Sequence, residues 1–309
     1  MLRSAFAALV AVGAVVFGGT HAAPAADHTL NIGYTPGGDQ LALFVAKEKG
    51  FYAKHGIDGT VTRLTTAPTG VQGLVAGSLQ LSMTAVPNLL LAVEGGIDLV
   101  VVRGLSRFPA DLNIQTLLGR TGLGAKNAAD LKGKKIAVPG IYSMGDIMLR
   151  KWFLNNDVAL NEMTIVELPM PQIPDALRQG SIDAAAIVEP FRSRALDSGA
   201  AYQIANYTAE VLPNGPGIII GALRSWAVAN KPAITAFRAS IDEAEQFIRD
   251  NQPEAREIEK KFLLGASSPI FPPPMSSKIT VQDFEFFNKV GKELGILKGT
   301  TDLNSLIVN

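Results

Sequence analysis

Gly77–Pro87 reads GSLQLSMTAVP, and Gly180–Pro190 reads GSIDAAAIVEP. Both copies run glycine, serine, an aliphatic residue, a polar residue, a short apolar stretch and a closing proline. The match extends upstream, where Leu74 aligns with Leu177, and continues within, where Leu79 aligns with Ile182. A glycine behind a leucine-bearing amphipathic stretch marks a helix end, because it takes the left-handed conformation without a Cβ clash. A short apolar run after such punctuation marks a buried strand. The chain writes one helix-to-strand unit twice, which constrains it to two similar lobes rather than one continuous core. Two copies are too few for a repeat array, whose stability needs three or more stacked units.

The segments around the copies alternate in the same way. TLNIGYTP alternates apolar and polar as a strand does, GGDQ at Gly37–Gln40 is a glycine loop, and LALFVAKEKG sets Leu41, Phe44 and Val45 on one helical face before Gly50. TVTRLTT, LQLSMTAV and DLVVVRGLS read as further strands, with helices at APTGVQGLVAG and NLLLAVEGG between them. The order then restarts with the strand LKGKKIAVPG, the helix MGDIMLRKWFLNN, the strand MTIVELP, the helix IPDALRQG and the strand IDAAAIVEP. Its loop SMGD at Ser143–Asp146 answers GGDQ. Strands alternating with helices specify an α/β fold built on mainly parallel sheets.

The first lobe is expected at 28–112, resumed from 222 to 309, with the second lobe at 113–221 inserted between. The crossings fall near Asn113–Gln115 and in LPNGPGIII, where Gly215 and Gly217 let the backbone bend. The late helix ITAFRASIDEAEQFIRDN, with Phe237, Ile241, Ala244, Phe247 and Ile248 on one face, is expected to pack on the first lobe. FPPPM at Phe271–Met275 reads as a rigid linker before the helix TVQDFEFFNKVGKEL, capped by Thr280 with Asp283.

Length and charge narrow the function classes. The chain has 309 residues, enough for two lobes with substantial cores, and Lys+Arg balance Asp+Glu at 28 each. The longest basic cluster is KGKK at Lys132–Lys135, so nucleic acid is not an expected partner. At the N-terminus, Arg3, the apolar run Ala5–Gly18 and the small residues of THAAPAAD have the order of a cleavable export signal, expected at 1–25. That run is shorter than the ~20 residues a membrane-spanning helix needs. The sequence contains no Cys, hence no thiol for a lipid anchor, a disulfide or a thiolate metal site. The expected mature protein is free in a bacterial periplasm.

Catalytic constellations are sparse. Behind the signal only His28 and His55 remain, and neither lies near a plausible nucleophile in sequence. A Ser-His-Asp triad, a His-rich zinc site or a Cys nucleophile each needs residues that this chain lacks or places badly. No metal and no cofactor are expected.

Two α/β lobes imply a cleft, and ligands of open sheets collect beyond the carboxyl ends of the strands. The candidate ligand-binding residues are therefore Gly38, Asp39 and Gln40 after the first strand, Thr66 and Thr69 near the second helix, and Thr84 and Val86 at the end of the first copy. The second lobe supplies Tyr142, Ser143 and Met144, and Glu189 at the end of the second copy. Glycine-rich loops and helix starts offer unpaired backbone donors to an anionic or strongly polar head group such as a sulfonate or carboxylate. Asp39 also fits a helix cap and Ser143 a helix N-cap. Glu189, following a buried run, faces either the cleft or a salt bridge to Arg192 or Arg194.

These segments carry a family resemblance. ALFVAKEKGFYAKHGI, DLKGKKIAVPG with its Ser143 loop, ALRQGSIDAAAIVEPF and RSWAVANKPAITAFRASIDEAEQFIRDNQPEA resemble, over nearly all of the mature chain, the nitrate, sulfonate and taurine type of solute-binding protein that feeds ABC importers. That group also includes binders of thiamine-precursor pyrimidines. The resemblance implies a two-lobed periplasmic binding protein fold of type II with two crossover strands, and a monomer that delivers its ligand to an ABC permease in the inner membrane. It implies a small polar organic solute such as an alkanesulfonate or a taurine-like compound, with a thiamine-precursor pyrimidine as the alternative. Pyrimidine synthases on the same fold are the enzyme alternative, but they use a catalytic His and a cysteine-rich iron motif, and Cys is absent here. Two departures stand out: Gln80 where the family often carries Asp, and Val86 where the second copy has Glu189.

Overall fold

A computed structural model describes residues 27–65, 68–263, 265 and 267–308. The expected signal segment and Thr66 lie outside the described residues. The chain begins with β1 (His28–Tyr34), α1 (Leu41–Glu48), α2 (Phe51–Lys54) and β2 (Ile57–Arg63). It continues with α3 (Pro68–Val75), β3 (Leu81–Thr84), α4 (Val86–Glu94), β4 (Leu99–Gly104) and the short β5 (Arg107–Phe108). Next come β6 (Gln115–Arg120), β7 (Lys135–Val138), α5 (Met144–Asn155), β8 (Thr164–Glu167), α6 (Ile173–Gln179) and β9 (Ala184–Val188). They are followed by α7 (Phe191–Asp197), β10 (Ala201–Ala205), α8 (Tyr207–Val211), β11 (Gly215–Pro216) and β12 (Ile219–Leu223). The chain closes with α9 (Arg224–Ala229), α10 (Lys231–Asp250), α11 (Gln252–Phe262) and α12 (Val281–Glu293).

Two five-stranded sheets result, ordered β2-β1-β3-β12-β4 and β8-β7-β9-β6-β10. The two orders correspond strand for strand, with the sequence copies at the same place in each. β1 and β3 pair in parallel, as do β7 and β9, whereas β12 and β6 run antiparallel to both of their neighbours. The mainly parallel expectation thus holds for four of the five strands of each sheet, and one, β12 or β6, is reversed because it is the strand that has crossed from the other lobe. β6 and β10 add to the strands expected from alternation. The glycines that open the copies, Gly77 and Gly180, have φ of 72° and 70°, and Leu74, Leu177, Leu79 and Ile182 are buried beside them.

The first sheet is covered on one face by α1, α10 and α11, with Leu43, Phe44, Phe237, Ile241 and Ile248 in the core, and on the other by α4 and α12 through Leu89, Phe284 and Phe287. The second sheet packs α5 and α8 on one face and α6 and α7 on the other. Strands buried on both faces need continuous apolar sequence, which is why β3, β4 and β9 carry few charges.

The lobes are joined where β5 pairs antiparallel with β11. β12 is already inside the first sheet at Ile219, opposite Thr84, so the chain returns earlier than the expected boundary at Ala222. FPPPM does more than link. Pro274 O accepts from Arg107 N, Met275 bridges Ser106, and the Arg256 guanidinium lies 4.3 Å from the centre of the Phe271 ring, so the segment braces the crossing from the first-lobe side. Away from the crossing, Asn88 Nδ2 donates to Tyr142 O at 3.2 Å, and Lys151 pairs with Glu293 at 2.8 Å.

Candidate functional site

A cavity of about 390 Å³ lies between the lobes, walled by residues that follow the carboxyl ends of strands in both sheets. From the first lobe come Thr35, Gly37, Asp39 and Gln40 after β1, Arg63 and Thr65 at the end of β2, and Thr84, Ala85 and Asn88 at the β3–α4 junction. From the second come Pro139, Ser143 and Met144 after β7, the PMPQ stretch Pro169–Gln172 after β8, Val188 at the end of β9, and Gln115. Phe108 and Ile218, on the crossing segments, complete the wall.

Of the residues expected at the site, Asp39, Gln40, Thr84, Ser143 and Met144 line this cavity. Ser143 is also the N-cap of α5, accepting from Asp146 N at 3.4 Å, so capping and cavity exposure coexist in one side chain. The others are placed elsewhere. Val86 is fully buried in the apolar core, Thr69 stands on α3 outside the wall, and Tyr142 turns its ring outward, 40% exposed, beneath the Arg150 guanidinium. Tyr142 has φ of 59°, and its backbone N donates to Asp146 Oδ2 at 2.8 Å; its contribution across the lobes is the carbonyl that Asn88 meets.

Glu189 and Gly38 border a separate gap of about 20 Å³ together with Asp39, Ser268 and Pro274. Of the two roles open to Glu189, the contacts made are structural. Its carboxylate accepts from Arg192 Nη1 at 2.9 Å, Ser193 Oγ at 2.9 Å and Ser193 N at 3.2 Å. The reason is local: the chain turns at Pro190 into α7, and the first turn of that helix presents these donors to the preceding side chain.

The cavity wall is mostly apolar, but its polar groups are unusual. Gln40, Thr84, Asn88 and Gln115 are each at least nine-tenths buried, and Gln40 Oε1, Thr84 Oγ1, Asn88 Oδ1 and Gln115 Oε1 have no hydrogen-bond partner. Two of the amides have a fixed sense. Gln40 Nε2 donates to Thr35 O at 2.7 Å and Asn88 Nδ2 donates to Tyr142 O, so a flip would set oxygen against oxygen. A buried acceptor left unpaired costs about 1–3 kcal/mol, so four at one wall form a sizeable deficit for a ligand to remove.

Asp39 is the single acidic residue of the wall among the described residues. Its carboxyl touches the cavity but is otherwise enclosed, and burial pushes its pKa up to about 6, against the opposing hydrogen bond from Ser106 Oγ at 3.1 Å. Ser106 Oγ also accepts from Ile218 N at 2.9 Å, which ties Asp39 to both crossing segments. Among the described residues Arg63 is the wall's single Lys or Arg, and it is exposed on an edge strand. Asn88, Gln115, Arg63 and the PMPQ stretch were missed by sequence reasoning. The strand-end rule alone reaches PMPQ, which follows β8 directly, whereas Asn88 and Gln115 depend on a helix start and a crossing strand facing each other in space.

The NMT1-like family model matches residues 23–263. The chain belongs to that family. Family membership covers both copies of the repeat and every residue of the cavity wall. A curated binding protein of Brucella abortus is 28% identical over 84% of this chain and 79% of its own length. The periplasmic aliphatic sulphonate binding protein SsuA from Escherichia coli superposes with a TM-score of 0.74 at 22% identity, covering 91% of this chain and 97% of that one. The periplasmic nitrate-binding protein NrtA from Synechocystis PCC 6803 gives 0.75 at 18% identity, covering 90% and 86%. The fold is that of the periplasmic binding proteins.

Proposed function

We propose that the chain is the solute-binding component of an ABC importer: exported to the periplasm by a cleaved signal, it captures a small organic solute between its lobes as a monomer and delivers it to an inner-membrane permease. The observation that carries this reading is the cavity itself. Both lobes wall it, it lies at the strand ends where ligands of such sheets bind, and its volume of about 390 Å³ falls in the range of small-molecule sites. Proteins similar to this one are named for binding bicarbonate, aliphatic sulphonate or nitrate, which supports a small bound solute, and no helix among the described residues is long and apolar enough to cross a membrane.

An apolar wall of Met83, Met144, Met170 and several prolines favours an organic body over a bare inorganic ion. An alkanesulfonate or a taurine-like compound has such a body, and the acidic Asp39 favours the member that also bears an amine. A panel of alkanesulfonates, taurine, alkylamines, aminopyrimidines, nitrate and bicarbonate, read by thermal shift and then by calorimetry, tests the reading. An organic solute is expected to bind, and Asn88→Ala and Gln115→Ala are each expected to weaken it about tenfold. Binding that neither substitution changes would place the ligand elsewhere.

A further inference from the structure

The polarity of the cavity assigns more than a volume. We infer that the ligand enters nitrogen end first: its buried head is a protonated amine or amidinium, met by the Asp39 carboxylate and by the free oxygens of Gln40, Thr84 and Asn88, while any anionic end stays at the rim by Arg63. This rests on the proposed solute-binding function and specifies the charge and direction of the ligand within it.

Three observations converge on it. Among its buried side chains the wall offers unpaired acceptors: two amide oxygens with a fixed sense, a third at Gln115, and beside them a carboxylate. An oxyanion head would bring further acceptors to the same place and leave these oxygens unpaired, whereas an ammonium or amidinium group brings several N–H donors and no acceptor. The wall also lacks an interior cation to neutralise an anion, since Arg63 is exposed. Finally, two further carboxylates stand near the Asp39 loop. Glu259 of α11 places Oε1 beside Gly38, Glu189 reaches the same small gap from the second lobe, and the nearby cations are engaged, Arg192 by Glu189 at 2.9 Å and Arg256 facing Glu259 at 3.9 Å. Burial holds Asp39 partly protonated near neutral pH, and a cationic ligand would displace that proton.

Calorimetry with n-butylamine, benzamidine, taurine and butane-1-sulfonate, from about pH 8 down to about pH 5, tests the inference on the mature wild-type chain, Asp39→Asn, Arg63→Ala and Glu259→Gln. The expected result is that an amine or benzamidine binds at least about tenfold more tightly than the sulfonate. Its affinity should fall as pH drops through about 6, where Asp39 takes up its proton. Asp39→Asn should remove most of that affinity and the pH dependence, Glu259→Gln should lower the affinity by less than Asp39→Asn does, and Arg63→Ala should weaken taurine more than butylamine. Because Asp39→Asn could perturb folding, the wild-type pH profile and Arg63→Ala stand independently of it. Sulfonate binding as tight as the amine, or amine binding that ignores pH, overturns the inference. No binding of either nitrogen probe at millimolar concentration overturns it as well; capture of some other organic solute from a metabolite extract would then show that the solute-binding function survives without it.

Discussion

Asp39 and Glu259 are buried acids of the first lobe that border the crossing, and both titrate above their ordinary range. Burial lifts Asp39 to about 6 and Glu259 to about 7, the latter with no hydrogen bond to Oε2, which Arg256 faces at 3.9 Å, and with Glu189 adding repulsion. A raised folded pKa means that the native state binds more protons than the unfolded one between the two values. Stability from these groups is therefore full below the unfolded carboxyl range and is lost as pH rises through about 6 and about 7. The ligand-free melting temperature is expected to fall from about pH 5 to about pH 8, and Glu259→Gln should flatten that slope; a melting temperature that climbs over the window contradicts the assignment. Glu189 is held by Arg192 and Ser193. Glu189→Ala strips Arg192 and Ser193 of an acceptor and is expected to cost roughly 1.5–3 kcal/mol of ligand-free stability in denaturant unfolding, with solute affinity changed little. Loss of affinity without loss of stability would return Glu189 to the ligand. The sequence shows that a carboxylate follows the buried AAAIV run, but its direction is decided by the α7 donors a turn ahead, and no residue pattern before folding separates that outcome from a cleft position.

At the level of elements, the repeat was the legible part. Leu74-Gly77-Leu79 and Leu177-Gly180-Ile182 fold alike because local rules act alone there: a left-handed glycine ends the helix and a branched apolar residue starts the buried run. Gly180→Ala keeps every contact but forces a Cβ into φ of 70°, and is expected to destabilise by about 1 kcal/mol, read by urea unfolding. The crossing elements were less legible. β5 and β11 are two residues each, too short for periodicity, and β6 pairs with β9 and β10, both far along the chain. Gly217 illustrates the difficulty: a Cβ there would collide with Ser106 Oγ, the hydroxyl that joins Ile218 N to Asp39. Gly217→Ala should accordingly lower both stability and solute affinity, the one substitution at the crossing expected to do both. The start of α12 was readable from Thr280 and Asp283, and Asp283 adds a role that spacing could not show, since it also accepts two hydrogen bonds from Arg107 of β5 at 2.9 and 3.0 Å.

For the molecule as a whole, function depends on how two lobes share a ligand. The lobes already meet at Asn88–Tyr142, just before α5, and at Lys151–Glu293, on α5, while the unpaired oxygens of Asn88 and Gln115 belong to opposite lobes and one cavity. A solute that donates to both would favour the closed arrangement over an open one by its differential contacts. Small-angle scattering is expected to show a smaller or equal radius of gyration with solute and a larger one when Asn88→Ala removes the bond to Tyr142. The central claim, that the solute is held between the lobes, is tested most directly by a crystal structure of the protein with the tightest-binding member of the solute panel. Density in the cavity in contact with Thr84 or Asn88 on one side and Gln115 or Ser143 on the other is the predicted result. Density confined to one lobe or lying outside the cavity, with those four side chains still unpartnered toward it, would contradict it.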